Sequence, residues 1–589
     1  MLFEEALQLV GDFGVFQYLL IVYLCVFVAP LRVLPLFAHI FSLLEPPHWC
    51  RNPFLEGFNF TRDEIRNMSI PKMADGAWSK CTMYNLNWTD VASSLSPGGP
   101  GLGQPQDSWP TVPCEYGWEY DHSVIYPTVV SEMDWVCGST WKAYVSNSVF
   151  FGCMSFGVIT FGAISDKVGR VPVMVLVYIL AGAGAVVTYF SNNFAVFVVT
   201  RAIEGAVLLS ISIIPFVLAV EYVPAQKRML VLSAFRFAYP LLGVCMPWVA
   251  YAVGHWRLLN AVVVVPCILG PLMSWFIPES TRWLIAKGNI KRTKKILQWI
   301  AKVNGKQVDP DAFDSLQFPD KSDGMKKTST MDVFRFPTLR RNFLITLFLW
   351  LLSCLTYSAG QLYAATATDD PFVMTSTTNA MDILATGLAL PLADRWGRRP
   401  SMMAAYTLAA LCYLGVAACY GKSVAIFAVM MVGRFALTTA YNVGYLYAAE
   451  IYPTEIRSQA LSIRQAFGSL GKFLSSQVVQ LAFYGKFLPL FILGGMSCVS
   501  SLLTFPLPET NNQRLPETLE EGEDMRKLPK PWFPCLVKET ARERRGTGTR
   551  GRSMSTLSAA TIDSSFRHGR KYKVNNPLPN LNNTRTLHI

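Results

Sequence analysis

Charge is the first thing this sequence is short of. Of its 589 residues only 16% are Asp, Glu, Lys or Arg, while 51% are hydrophobic. Soluble domains carry about a quarter charged residues, so this balance excludes an ordinary soluble multidomain protein. Histidine is scarce as well, six in all and scattered, and no His/Cys/Asp set has the spacing of metal ligands. Neither a catalytic site nor a metal nor a cofactor is expected. No Gly-x-x-x-x-Gly-Lys-Ser/Thr string occurs, which removes an ATP-driven engine built on a phosphate-binding loop. No Lys or Arg precedes Arg32, so the basic region of a cleaved signal peptide is missing and the first apolar run is expected to insert and stay.

What the chain does have is apolar runs near twenty residues long, the length that crosses about 30 Å of hydrocarbon. They predict an all-α membrane protein with twelve spans, over 16–43, 143–164, 172–190, 194–220, 229–253, 258–277, 342–363, 374–393, 401–419, 424–449, 458–482 and 487–507. The expected organisation is a six-helix half over 1–277, a linker over 278–341, a second six-helix half over 342–510, and a tail over 511–589. The net charge of +12 does not point to nucleic acid, because of where it sits. Fourteen Lys/Arg fall in 278–341 and fifteen beyond Thr510, whereas the connections 191–193 and 364–373 carry none. That asymmetry is the positive-inside pattern. It predicts both termini in the cytoplasm, with the basic groups toward anionic lipid heads. The tail from Met525 is polar and basic and is expected to be disordered; Arg550, Arg552 and Ser555 in it have the spacing of a basophilic kinase site.

One long connection, 44–142, differs in kind. It holds Cys50, Cys81, Cys114 and Cys137, four of the chain's thirteen cysteines, and three Asn-x-Ser/Thr sequons at Asn59, Asn67 and Asn87. Cysteines and sequons together fit an oxidising, external side. Two disulfides are expected, and spacing alone leaves their pairing open. A further sequon at Asn582 falls in the tail and is expected to be silent.

The strongest signal beyond composition is a duplication. Asp166-Lys167-Val168-Gly169-Arg170 follows span two and Asp394-Arg395-Trp396-Gly397-Arg398-Arg399 follows span eight. Glu221, Pro224 and Arg228 after span four match Glu450, Pro453 and Arg457 after span ten, with identical internal spacing. Pro278-Glu279-Ser280 matches Pro508-Glu509-Thr510, and Arg201 matches Arg434. Four pairs in order imply two homologous halves, and such repeats place a substrate site between the halves near mid-membrane. The carboxylates of Asp166 and Asp394 can pair with Arg170 and Arg398 at helix ends. They are read as a charged latch that holds the halves together in one state, with Glu221, Arg228, Glu450 and Arg457 in the same set.

These motifs resemble the signature loops of the major facilitator superfamily. Three features resemble its organic cation, organic anion and carnitine branch: the Cys-rich external loop with Gly117-Trp118-Glu119-Tyr120-Asp121, the string Pro278-Glu279-Ser280-Thr281-Arg282-Trp283-Leu284, and Ala449-Glu450-Ile451-Tyr452-Pro453-Thr454-Glu455-Ile456-Arg457. The resemblance implies a monomeric plasma-membrane carrier of small organic ions that works by alternating access. It implies a central cavity lined by Arg236, Tyr239, Trp350, Tyr357, Asp382, Tyr441, Asn442, Tyr445, Gln465 and Ser469. One departure is Leu390, where the loop motif usually leads with Gly. Another is that cation-selective members carry Asp, and anion or carnitine members Arg, where this chain has Ser469; many anion members carry Lys where it has Thr386. Two other readings remain: a transporter-like receptor or scaffold that does not transport, and a sugar porter.

Ionisable residues inside spans are expensive and mark function. Here they are Arg32, Arg201, Glu204, Arg236, Asp382, Arg434, Arg464 and Lys472. Arg201 and Arg434 are duplicated and read as architectural, and Glu204 can pair with Arg201 on one helix face. Arg236 either meets a substrate carboxylate or pairs with Asp382. The remainder tilts toward an organic anion or zwitterion. The external loop yields a first prediction: glycosidase should shift the mobility of the wild type on a gel, and replacing Asn59, Asn67 and Asn87 together by Gln should abolish the shift.

Overall fold

The computed structural model describes residues 3–524 except 12, 57–59, 74–77, 95–108, 225–226, 309–329, 367–369, 417–422, 454, 484, 486, 512, 514–515 and 517. The sequon at Asn59, the tail sequon at Asn582 and the tail positions Arg550, Arg552 and Ser555 lie outside the described residues. Twelve long helices carry the fold: α1 (Val15–Ser42), α2 (Trp141–Val168), α3 (Arg170–Tyr189), α4 (Phe194–Glu221), α5 (Arg228–Val253) and α6 (Trp256–Ser274) in one half. The other half has α7 (Pro337–Thr366), α8 (Pro371–Trp396), α9 (Arg398–Gly415), α10 (Ser423–Ile451), α11 (Arg457–Gln480) and α12 (Leu488–Thr504). Among the described residues eight are long and apolar enough to cross a membrane by length and composition. The exceptions are the shorter α12 and the more polar α8, α9 and α11. A lipid core forces helical hydrogen bonding on every span, and the polar residues of α8 and α11 are tolerated because these helices line the interior between the halves.

Local chemistry sets the ends. Asn193 and Asp370 accept hydrogen bonds from the first backbone N–H groups of α4 and α8, and Pro371 supplies the first residue of α8. Gly169 and Gly397 connect α2 to α3 and α8 to α9 at φ of 122° and 95°, a left-handed region that a side chain would strain. The α2–α4 crossing depends on small residues. A Cβ at Gly157 would collide with the Ala206 carbonyl, and one at Gly205 would collide with the Phe150 carbonyl.

The connection between α1 and α2 folds into a small domain of its own. Strand β1 (His48–Cys50) pairs antiparallel with β4 (Trp118–Tyr120), and β2 (Thr82–Tyr84) with β3 (Thr111–Pro113). Disulfides Cys50–Cys114 and Cys81–Cys137 close it, resolving the pairing that spacing left open. Bridges with sequence separations of 64 and 56 each remove on the order of 4 kcal/mol of unfolded-state freedom. Trp49, Leu55, Ile65, Met83 and Trp88 supply a compact core. Asn67 and Asn87 are both exposed. On the opposite side of the bundle, helix Ile290–Val303 packs Leu297, Ile300 and Ala301 against Ala6, Phe16 and Leu20 of the N-terminal segment.

The halves touch on the side of the disulfide-linked domain. Ser148 of α2 meets Ser476 of α11 at 2.9 Å and accepts from Gln477 at 2.6 Å. Ser376 of α8 donates to the Val244 carbonyl of α5 at 3.0 Å. The Phe372 ring joins Phe41, Tyr126 and Tyr251, with centroids 5.4, 5.9 and 5.4 Å away. The Gly157 crossing gives a test. Gly157→Val should cost about 1–3 kcal/mol or more through overpacking, read as a lower melting temperature of the detergent-solubilised protein and less of it at the cell surface.

Candidate functional site

Between the halves, α7, α10 and α11 build an aromatic column. Tyr441 stacks on Trp350 and on Tyr357, with centroids 4.6 and 5.1 Å apart and interplanar angles of 25° in both cases. Trp350 also meets Tyr445 at 6.1 Å. Trp350 and Tyr357 are two turns apart on α7, and Tyr441 and Tyr445 one turn apart on α10, so helical spacing alone puts each pair on one face. Gly468 of α11 admits the indole, since a Cβ there would lie 2.5 Å from Trp350 Nε1.

Cations cover these rings. Arg464 lies 3.7 Å over Trp350, Arg434 3.9 Å over Tyr357 and Arg32 4.9 Å over Tyr239. Arg236, from the first half, lies 4.4 Å over Tyr445 of the second. Each contact is worth about 0.5–2 kcal/mol, more as water is removed.

Of the two alternatives for Arg236, the pairing with Asp382 is not formed. Asp382 is 2% exposed and takes both oxygens to Arg434, at 2.9 Å from Nε and 2.7 Å from Nη2. Thr438 donates to it at 2.6 Å and the Tyr357 hydroxyl at 2.8 Å. The carboxylate is therefore saturated by α7 and α10. A bidentate Arg fork is better matched to it than any longer reach across the chamber. In the first half Arg201 is likewise held, by Glu204 at 2.9 Å, Thr188 at 2.7 Å and Asn260 at 3.1 Å.

The remaining expected lining residues fall in two groups. Arg236, Tyr239, Tyr357, Tyr441, Asn442, Tyr445 and Gln465 are half-buried, although they sit mid-helix among residues of both halves. Asn442 donates to Thr386 at 3.2 Å. Ser469 is fully buried, and its hydroxyl turns back onto the Gln465 carbonyl of its own helix. Three further charges inside spans were not grouped with these residues by sequence: Arg32 over Tyr239, Arg464 over Trp350 with a hydrogen bond to the Gly444 carbonyl at 2.9 Å, and Lys472 of α11. The signal that could have placed them was their charge inside a span with no carboxylate at helical spacing.

The repeated loops form two matching clusters. Arg170 pairs with Asp166 at 3.1 Å and Glu221 at 3.3 Å, and Arg398 with Asp394 at 2.7 Å and Glu450 at 3.3 Å. Glu279 accepts from the Arg170 and Val171 amides, and Glu509 from the Arg398 and Arg399 amides, so each caps a helix N-terminus. Neither glutamate was expected to contribute, though both stand in the duplicated Pro-Glu-Ser/Thr string. Trp283 Nε1 and Asn511 Nδ2 donate to the carbonyls of Asp166 and Asp394 in turn. Arg228 and Arg457 reach the carbonyls of Val223 and Tyr452, five residues back in each case. The contacts of the paired Asp, Arg and Glu side chains stay within one half. In this conformation they fasten helix ends inside each half, in place of the expected latch between halves.

Comparison with known proteins agrees with this geometry. Residues 65–521 match the family described as "Sugar (and other) transporter". The rat protein named solute carrier family 22 member 6 is 30% identical, covering 88% of this chain and 94% of its own. The chain belongs to solute carrier family 22, the organic cation, organic anion and carnitine branch of the major facilitators. A β-alanine transporter of Drosophila melanogaster is 29% identical over 92% of each chain. The human organic cation/carnitine transporter 2 is 29% identical, covering 88% of this chain and 93% of its own. A partially occluded inward-open structure of the Escherichia coli xylose transporter XylE shares the fold, with a TM-score of 0.50 at 18% identity over 64% of this chain and 90% of that one. Like other major facilitators, this family 22 member is a membrane transporter and not an enzyme.

The Asp382–Arg434 pair predicts the behaviour of neutralised variants. Asp382→Ala or Arg434→Ala alone strands a buried charge and should cost about 3–5 kcal/mol, seen as loss of surface protein. The double variant should recover most of it, and Arg236→Ala combined with Asp382→Ala should not.

Proposed function

We propose that this chain carries small organic anions, and zwitterions that bear a carboxylate, across the plasma membrane by alternating access between its halves. The observation that carries this reading is the charge balance of the chamber. Among the described residues Asp382 is taken by Arg434, while Arg32, Arg236, Arg464 and Lys472 have no carboxylate partner. Buried cations need counter-charge, and a substrate carboxylate supplies it. The column of Trp350, Tyr357, Tyr441 and Tyr445 offers flat apolar faces to the rest of the ligand. β-Alanine, named for one relative, is a small molecule of this charge type. The lining comprises Arg236, Tyr239, Trp350, Tyr357, Tyr441, Asn442, Tyr445 and Gln465, with Asp382 holding Arg434 and Ser469 packed behind.

The clusters at Asp166, Arg170, Glu221 and at Asp394, Arg398, Glu450 keep each half rigid while the two rock. The basic linker and tail face the cytoplasm, with both termini, and the disulfide-linked domain faces outward with its glycans.

Uptake of labelled β-alanine, benzoate and tetraethylammonium into cells expressing the chain tests the reading. The carboxylates should accumulate, and Arg236→Ala should raise their KM about tenfold, for one lost charge-assisted contact, with surface expression kept. Accumulation of tetraethylammonium and neither carboxylate would overturn it.

A further inference from the structure

Two of the unpartnered cations sit just inside the seal between the halves. Lys472 of α11 is one turn from Ser476, which meets Ser148 of α2 across the seam at 2.9 Å. Phe473, the next residue, packs beside Gly152 of α2, 3.2 Å from where its Cβ would be. Arg32 of α1 is nine residues from Phe41, about 13 Å along a helix, and Phe41 stacks on Phe372 of α8 at 5.4 Å. Arg32 and Lys472 thus belong to opposite halves and lie inward of the contacts that close the same side. Lys472 is one turn from Gly468, which packs against Trp350 and Cys354 of α7.

Neither side chain has a hydrogen bond or an ion pair among the described residues; the Lys472 carbonyl accepts from Ser475. The Arg32 guanidinium covers the Tyr239 ring at 4.9 Å. The Asp382 carboxylate, which also acts on Tyr239, is held by Arg434. Two like charges brought together away from water repel strongly, so closing this seam over an empty chamber is opposed by the chain's own charge.

We propose that Arg32 and Lys472 form a carboxylate clamp spanning the two halves, and that a substrate carboxylate held between them is what lets the disulfide-domain side close. Each carboxylate oxygen accepts from one half: the Arg32 guanidinium on the first, the Lys472 ammonium on the second. Repulsion across the seam becomes two charge-assisted hydrogen bonds that pull it shut. The remainder of the ligand then lies toward Tyr239, Tyr441 and Trp350. A cation of similar size cannot bridge the pair and leaves the seam open. This assignment rests on the anion reading above and adds the residues that receive the carboxylate and the link from occupancy to closure.

Benzoate and its neutral counterpart benzamide separate the possibilities in intact cells. Ser148→Cys places a thiol in the seam, and its labelling by an impermeant maleimide, corrected for the chain without it, reports opening. Benzoate should slow labelling and benzamide should not. Equal labelling with and without saturating benzoate, in a chain that takes benzoate up, would overturn the clamp without any change at 32 or 472. Lys472→Gln and Arg32→Gln should each raise the benzoate half-saturation about tenfold and abolish protection, and Lys472→Arg should restore both. Unchanged half-saturation in both Gln variants also overturns it while the anion reading stands. Failure of that reading shows instead as uptake of tetraethylammonium with no benzoate uptake by the wild type.

Discussion

The bundle depends on how it disposes of charge where water is excluded. The Asp382 carboxylate binds Arg434 of α10, Thr438 of α10 and the Tyr357 hydroxyl of α7, so one acid ties three helices together. Breaking such a set leaves a buried ion, which costs far more than the intact set contributes. The first half solves the same problem differently. Arg201 finds Glu204 on its own helix, then Thr188 of α3 and Asn260 of α6, and Asn260 reaches Ser42 of α1. The duplicated arginine is common to both halves, but the acid comes from α4 in one and α8 in the other. Because α8 faces the seam, spending its acid on Arg434 removes negative charge from the chamber and leaves the cations there uncompensated.

The loop clusters act on rigidity. Arg170 with Asp166 and Glu221, and Arg398 with Asp394 and Glu450, join the ends of α2 to α4 and of α8 to α10 through the start of the next helix. Glu279 and Glu509 bring in the ends of α6 and α12 by capping α3 and α9. Each half is fastened to itself at one rim. Motion between halves then has no internal charge contact of these clusters to break, which suits rigid-body rocking.

The sequence made the fold legible because its signals are long-range and redundant: apolar runs of spanning length, and four motif pairs in register. The connection of cysteines was not legible, since Cys50–Cys114 and Cys81–Cys137 follow from how short strands pair, which no periodicity encodes. The aromatic positions were found through resemblance, and Trp350, Tyr357, Tyr441 and Tyr445 do stack. The partner of Asp382 was missed. Duplication makes Arg434 read as architectural, which leaves Arg236 as the cation in sequence that could meet Asp382. Duplication identifies a conserved framework role for the arginine, yet says nothing about which helix supplies its acid. Arg32, Arg464 and Lys472 are visible as costly charges, but the rings that Arg32 and Arg464 cover, Tyr239 and Trp350, follow only from three dimensions.

The seam joins these points. Its contacts are hydroxyl pairs such as Ser148–Ser476 and rings such as Phe372 against Phe41, and contacts of this type are individually worth about 1 kcal/mol. Interactions so weak can separate on the timescale of transport, whereas a buried salt bridge there would hold one state. The same weakness makes the seam sensitive to charge behind it. A few kcal/mol of repulsion or attraction near Lys472 exceeds any one of these contacts, and population follows such differences exponentially. Neutral contacts in the seam and unbalanced cations inward of it are therefore complementary features: the first makes the closed state reversible, and the second lets the charge of what lies between the halves decide whether it forms.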